Sequence, residues 1–97
     1  MSATLSTHVL DTSAGRPASG VAVALYRGDD VVARGTTDRD GRIRELAKDL
    51  APGTYRLVFE TASAFFRRVA LDVELGDGAH HVPLLLSPFG VTAYRGS

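Results

Sequence analysis

The 97-residue sequence has no cysteine, a single lysine (Lys48), no block of charge of either sign and no long apolar run. Without cysteine, disulfides, thiolate metal ligands and thiol nucleophiles are excluded together. Eleven basic and eleven acidic residues cancel to a formal charge of +0. A nucleic-acid-binding face displaces counterions with a concentration of basic side chains, and none is visible. No stretch approaches the ~20 apolar residues that a helix needs to cross a bilayer, and the opening segment MSATLSTHVLDTSAG is too polar for a secretory leader. A cytoplasmic protein with neither a nucleic-acid nor a membrane partner is the expectation. No Gly-rich loop leads into a helical stretch and no βαβ periodicity is present, which argues against dinucleotide and P-loop sites.

What is present is alternation. Apolar and polar residues alternate over 4–10 (TLSTHVL), 21–27 (VAVALYR), 31–37 (VVARGTT), 42–47 (RIRELA), 54–60 (TYRLVFE), 69–75 (VALDVEL), 80–87 (HHVPLLLS) and 90–95 (GVTAYR). This period predicts about eight strands. The separators SAGRPASG, GDD, DRDG, LAPG and GDG carry the Gly, Pro and Asp that reversals require. One connection differs: TASAFFRR, residues 61–68, reads as a short helix. At this length a chain builds one core, so residues 1–97 are expected to form a single domain, an all-β antiparallel sandwich of two packed sheets. Its surface-to-volume ratio leaves a narrow stability margin and favours association.

Side chains two residues apart share a strand face, so the pattern also sorts faces. Val69, Leu71, Val73 and Leu75 oppose Ala70, Asp72 and Glu74; Tyr55, Leu57 and Phe59 oppose Arg56 and Glu60. In the first strand Leu5 and Val9 point inward, leaving Ser6, His8 and Leu10 outside. In HHVPLLLS the inward set is Val82, Leu84 and Leu86, leaving His81, Pro83 and Leu85 outside, with His80 on the opposite side from His81. In the last strand Thr92, Tyr94 and Gly96 share a side. If these three strands belong to one sheet, its outer surface is a mixed apolar patch carrying two histidines and a tyrosine, and such patches bind partners or ligands.

A lone strand histidine is more often structural than functional, but His8 and His81 on one face suit a proton acceptor, a proton donor or a substrate clamp near neutral pH. A metal site needs three or four ligands, and the two histidines lack a suitably spaced carboxylate, so no metal is expected. No serine lies in a nucleophile-elbow sequence. Arg42 follows the turn TDRDG, in which Gly41 fits the last position of a type I reversal. Taken alone, Arg42 and its neighbour Arg44 read as exposed hairpin arginines.

Four segments together resemble one family. LSTHVLDTSAGRPASGVAVALYR, TDRDGRIREL, HHVPLLLSPFG and the terminal YRGS are similar to the 5-hydroxyisourate hydrolases, the enzymatic branch of the transthyretin-like proteins. The tetrapeptide is the most specific of the four, and with the strand pattern the resemblance spans nearly the whole chain. It implies a prealbumin-like (transthyretin-like) β-sandwich, assembled as a homotetramer whose active sites lie where two dimers meet. It also implies a catalytic trio of His8, Arg42 and His81, and a substrate-binding tail of Tyr94, Arg95, Gly96 and Ser97. The chain departs from the family pattern in a short stretch from Thr61 to Ala79, in Phe89 where tyrosine is usual, and in VTA before YRGS. The shortening is expected to trim the helix or the edge strand that follows it.

The activity so implied belongs to urate degradation: hydrolysis of a ring amide of 5-hydroxyisourate to 2-oxo-4-hydroxy-4-carboxy-5-ureidoimidazoline, with no cofactor. One histidine accepts a proton from water, the other orients or protonates, and Arg42 binds the polar edge and offsets developing charge. Which histidine is the base stays open at this point. The rivals are a transthyretin-like carrier, which uses the same channel without catalysis, and a structural β-sandwich module.

Overall fold

A computed structural model describes residues 2–97. Nine strands follow one another: β1 (Ala3–Asp11), β2 (Arg16–Pro17), β3 (Ala22–Arg27), β4 (Asp30–Thr36), β5 (Arg42–Leu50), β6 (Gly53–Glu60), β7 (Arg68–Leu75), β8 (Gly78–Ser87) and β9 (Gly90–Ala93). One sheet runs β4-β3-β6-β7. The other runs β2-β1-β8-β9, with β5 also pairing β1. The all-β sandwich expected from the alternation is therefore present. All pairs are antiparallel except β1 with β8, which run parallel from Ala3↔Gly78 to Asp11↔Leu86. Parallel neighbours must be joined by a crossover, and here everything between β1 and β8 serves as that crossover, including the whole second sheet.

The inward faces close on each other as sorted. Leu5, Val9, Val82, Leu84 and Leu86 of one sheet meet Val23, Leu25, Tyr55, Leu57, Phe59 and Leu75 of the other, and all are buried. Thr7 is the polar member of the inward row of β1. Its hydroxyl donates to the Val82 carbonyl at 2.6 Å, which satisfies the group in the core.

The expected helix at 61–68 does not form, and no helix occurs among the described residues. Glu60 pairs with Arg68, so β6 and β7 are an antiparallel hairpin whose loop must return the chain to its starting point. Thr61 N–H donates to the Arg67 carbonyl at 3.0 Å and closes that loop. The Ser63 hydroxyl accepts from the amides of Phe65 and Phe66 at 3.3 and 3.2 Å, capturing donors that a helix needs for its own ladder. The edge strand β7 keeps eight residues and full pairing with β6.

Two further departures concern the separators. SAGRPASG, read as a loop, contributes the two-residue β2, which pairs Leu10↔Pro17 and Asp11↔Arg16 beside the end of β1. β5 continues past Ala47 to Leu50, because register shifts between Ala3 and Leu5 and between Leu5 and Thr7 let it follow β1 out of strict alternation.

Candidate active site

Ser6 and His8 project from the outer face of β1. Parallel pairing sets Ser6 beside His81 and His8 beside Pro83, while antiparallel pairing on the other flank sets His8 opposite Arg42. Residues 6, 8, 42 and 81, scattered along the sequence, thereby become neighbours across three adjacent strands.

The turn before β5 aims Arg42. The Asp38 carboxylate accepts from the amides of Asp40 (2.9 Å) and Arg42 (3.0 Å), and Gly41 N–H returns to the Asp38 carbonyl at 2.9 Å. These amide donors, led by that of Arg42, hold the Asp38 carboxyl below its ordinary value. Gly41 has φ +74°, and its carbonyl accepts from Val9 N–H at 2.7 Å. A Cβ there would lie 2.3 Å from the Val9 oxygen, so only glycine lets the turn dock on β1. The docked turn also receives His8, whose Nε2 lies 2.9 Å from the Asp40 carbonyl. A carbonyl can only accept, so Nε2 of His8 carries a proton and donates it there.

His81 is held from two sides. Its Nδ1 is 2.8 Å from the Ser6 hydroxyl. Gly96 lies against the opposite ring edge, where a Cβ would come within 2.7 Å of Cδ2, while Gly96 N–H donates to the His81 carbonyl at 2.7 Å. Burial, then the positive charges of Arg42 and His8, push the His81 imidazole below its ordinary value of 6.5. At neutral pH it is an uncharged ring able to accept a proton.

An open groove of about 370 Å³ is lined by Ser6, Arg42, Arg44, His81, Gly96 and Ser97, together with Thr7, Ala79 and His80. It contains two of the three expected catalytic side chains. His8 adjoins it from the next position along β1. The expected binding tail divides. Gly96 and Ser97 line the groove, whereas Tyr94 and Arg95 line a separate cavity with Leu71, Val73 and Val82, between β7 and the β8–β9 edge. The expected row of Thr92, Tyr94 and Gly96 keeps one register, opposite Leu85, Pro83 and His81 in turn, with the regular ladder interrupted within it. β9 ends at Ala93, and Tyr94 stands opposite Pro83, which has no N–H to return; a single 3.3 Å bond from Tyr94 N–H to the Pro83 carbonyl remains. The ladder lapses there and resumes in the His81↔Gly96 bridge.

Sequence reasoning passed over two groove residues, Ser6 and Arg44. Both could have been found by the same two-residue step, since Ser6 precedes His8 and Arg44 follows Arg42 on the same faces. No ion pair or side-chain hydrogen bond engages Arg42 or Arg44 among the described residues, so both guanidiniums are available to a ligand. His80 donates Nε2–H to the Gly76 carbonyl at 2.9 Å, an anchoring role at the strand end. No group of three metal-binding side chains occurs among the described residues.

A two-sheet β-sandwich with a parallel β1–β8 pair and an arginine–histidine groove at the chain terminus defines a transthyretin-like protein. Comparison with known proteins narrows this further. Residues 5–96 match the HIUase/Transthyretin family, and the chain belongs to that family. It is 40% identical over 112 aligned positions to the 5-hydroxyisourate hydrolase of Caulobacter vibrioides, covering 96% of this chain and 97% of the relative. The structure of Klebsiella pneumoniae 5-hydroxyisourate hydrolase superposes with a TM-score of 0.90 at 39% identity, covering 98% of this chain and 99% of that one. Sea bream transthyretin in complex with thyroxine superposes with a TM-score of 0.85 at 27% identity, covering 95% and 93%.

Proposed function

We propose that this protein hydrolyses 5-hydroxyisourate in urate degradation, with Arg42 and His81 as the catalytic core, His8 beside them, and the substrate held against Gly96 and Ser97. Full-length similarity to hydrolases at 39–40% identity, against 27% for the carrier transthyretin, favours the enzyme over the carrier reading. The observation that carries the site assignment is the groove in which an unpaired guanidinium, a neutral imidazole and the chain terminus meet.

In the proposed reaction a water oxygen bonds to the ring carbonyl carbon while a histidine takes the water proton. Arg42 offsets the charge that builds on the carbonyl oxygen. The C–N bond then breaks, the proton passes to the departing nitrogen, and the ring opens to a carboxylate. General base assistance of roughly 10²–10⁴-fold suits a substrate that also decays unaided. No step asks for a cofactor. Tyr94 and Arg95, away from the groove in a single subunit, carry and anchor the tail that delivers Gly96 and Ser97.

The groove is open on one side, and a neighbouring subunit of a cytoplasmic homotetramer would close it. Generating the substrate in situ with urate oxidase and following its ultraviolet decay tests the activity. The decay should accelerate with the wild-type protein and lose about 100-fold or more of that acceleration in His81→Ala and Arg42→Ala. Wild-type turnover in both variants would end the site assignment.

A further inference from the structure

We propose that Ser6 is a positioning residue for His81: its hydroxyl accepts the Nδ1 proton and so selects the tautomer whose Nε2 is bare and able to take a proton from water. The inference rests on the hydrolase reading above and assigns the general base within it.

The two residues are direct neighbours in the parallel β1–β8 register, with Ser6 Oγ 2.8 Å from His81 Nδ1. A hydroxyl has one proton to give and two lone pairs to receive with. The same Oγ lies 3.4 Å from the His80 carbonyl, which can only accept. With the serine proton directed there, the contact to the ring is completed by Nδ1–H as donor, and Nε2 is left without a proton.

The ring cannot escape by flipping. A half-turn about χ2 exchanges Nδ1 with Cδ2, which would set a carbon against the serine hydroxyl and give up the 2.8 Å bond. On the far side Gly96 already packs so closely that a Cβ would lie 2.7 Å from Cδ2. Orientation and tautomer are thus fixed together, as a catalytic imidazole requires.

His8 offers a contrast. Its Nε2–H is held by a main-chain carbonyl, that of Asp40. This makes Nε2–H the fixed end of His8 and leaves Nε2 of His81 as the bare nitrogen of the ring that lines the groove. The burial and neighbouring positive charge that keep His81 neutral act on the same ring.

Ser6→Ala, Ser6→Thr and His81→Ala separate the possibilities. With 5-hydroxyisourate generated in situ, Ser6→Ala is expected to lose about 10- to 100-fold in kcat, part of the ~10²–10⁴ available from general base catalysis, with KM within about twofold, and Ser6→Thr to restore most of it. The acid limb of the Ser6→Ala profile should move to lower pH, since the protonated ring loses an acceptor. Long-range ¹H–¹⁵N spectra should show His81 as the Nδ1–H tautomer in the wild type and in Ser6→Thr, and as a mixture in Ser6→Ala. Wild-type kcat in Ser6→Ala with an unchanged Nδ1–H tautomer overturns the inference even when His81→Ala is inactive. An active His81→Ala instead removes the hydrolase reading of this site, while the spectra still report whether Ser6 sets the tautomer.

Discussion

His81 ties its surroundings to pH in a defined direction. Burial and the charges of Arg42 and His8 lower its proton affinity in the folded chain, whereas the unfolded chain keeps the ordinary imidazole value of 6.5. The folded state therefore binds fewer protons in the window below 6.5, and stability contributed by this residue is intact above that pH and lost as pH falls through the depressed value. Activity follows the same sense, because only the neutral ring accepts a proton. The acid limb of kcat/KM is expected below pH 6.5, and it should be absent from the residual activity of His81→Gln. A limb above 6.5 that disappears in that variant would contradict a lowered His81. The two-residue period put His81 on the outer face beside His8, but the 2.8 Å partnership with Ser6 needed the register of two strands distant in sequence.

At the level of elements, the β4–β5 turn decides where Arg42 goes. Asp38 gathers the amides of Asp40 and Arg42, and Gly41 presses its backbone onto β1 at Val9. Replacing Gly41 with alanine forces a side chain into φ +74° and into the Val9 carbonyl. Backbone strain of this kind costs roughly 1–3 kcal/mol, so Gly41→Ala should lower Tm by roughly 5–20 °C in a domain of this size. It should also depress turnover by more than the stability loss explains, since Arg42 shifts with the turn. A Gly41→Ala protein with wild-type Tm and turnover would show that the docking is dispensable. The turn itself was plain in TDRDG; its second role, docking on β1, was not, because nothing local to the motif reveals which strand lies beneath it. The missing helix at 61–68 has the same cause in reverse. Small residues and paired phenylalanines satisfy helix propensity, yet the pairing of Glu60 with Arg68 leaves only a loop's span, and Thr61 and Ser63 supply the bonds that close it.

For the molecule as a whole, the outer surface is less finished than the core. Phe89 is 80% exposed and Phe65 64% exposed, and the two rings approach edge to face with centroids 6.0 Å apart. β7 and β9 end their sheets. A chain of 97 residues that leaves aromatic side chains in water and strand edges unpaired has surface that association can cover. The homotetramer proposed above predicts, by light scattering or sedimentation, a particle of roughly four times the 10.3 kDa chain mass, with specific activity falling on dilution below the assembly's dissociation range. Undiminished activity in a demonstrably monomeric sample would mean that one subunit completes the groove alone.

The strand content, the inward rows, the turn that opens β5 and the candidate imidazoles were written into the chain, because alternation, turn chemistry and residue type are local properties. The division of the tail was not. Tyr94 and Gly96 keep the one row that alternation predicts, opposite Pro83 and His81, yet Tyr94 lines the cavity beside β7 and Gly96 lines the groove. Nor could local pattern pair β1 with β8 in parallel, the arrangement that brings Ser6 to His81, since strand order is settled by which apolar faces close a common core rather than by any segment read alone.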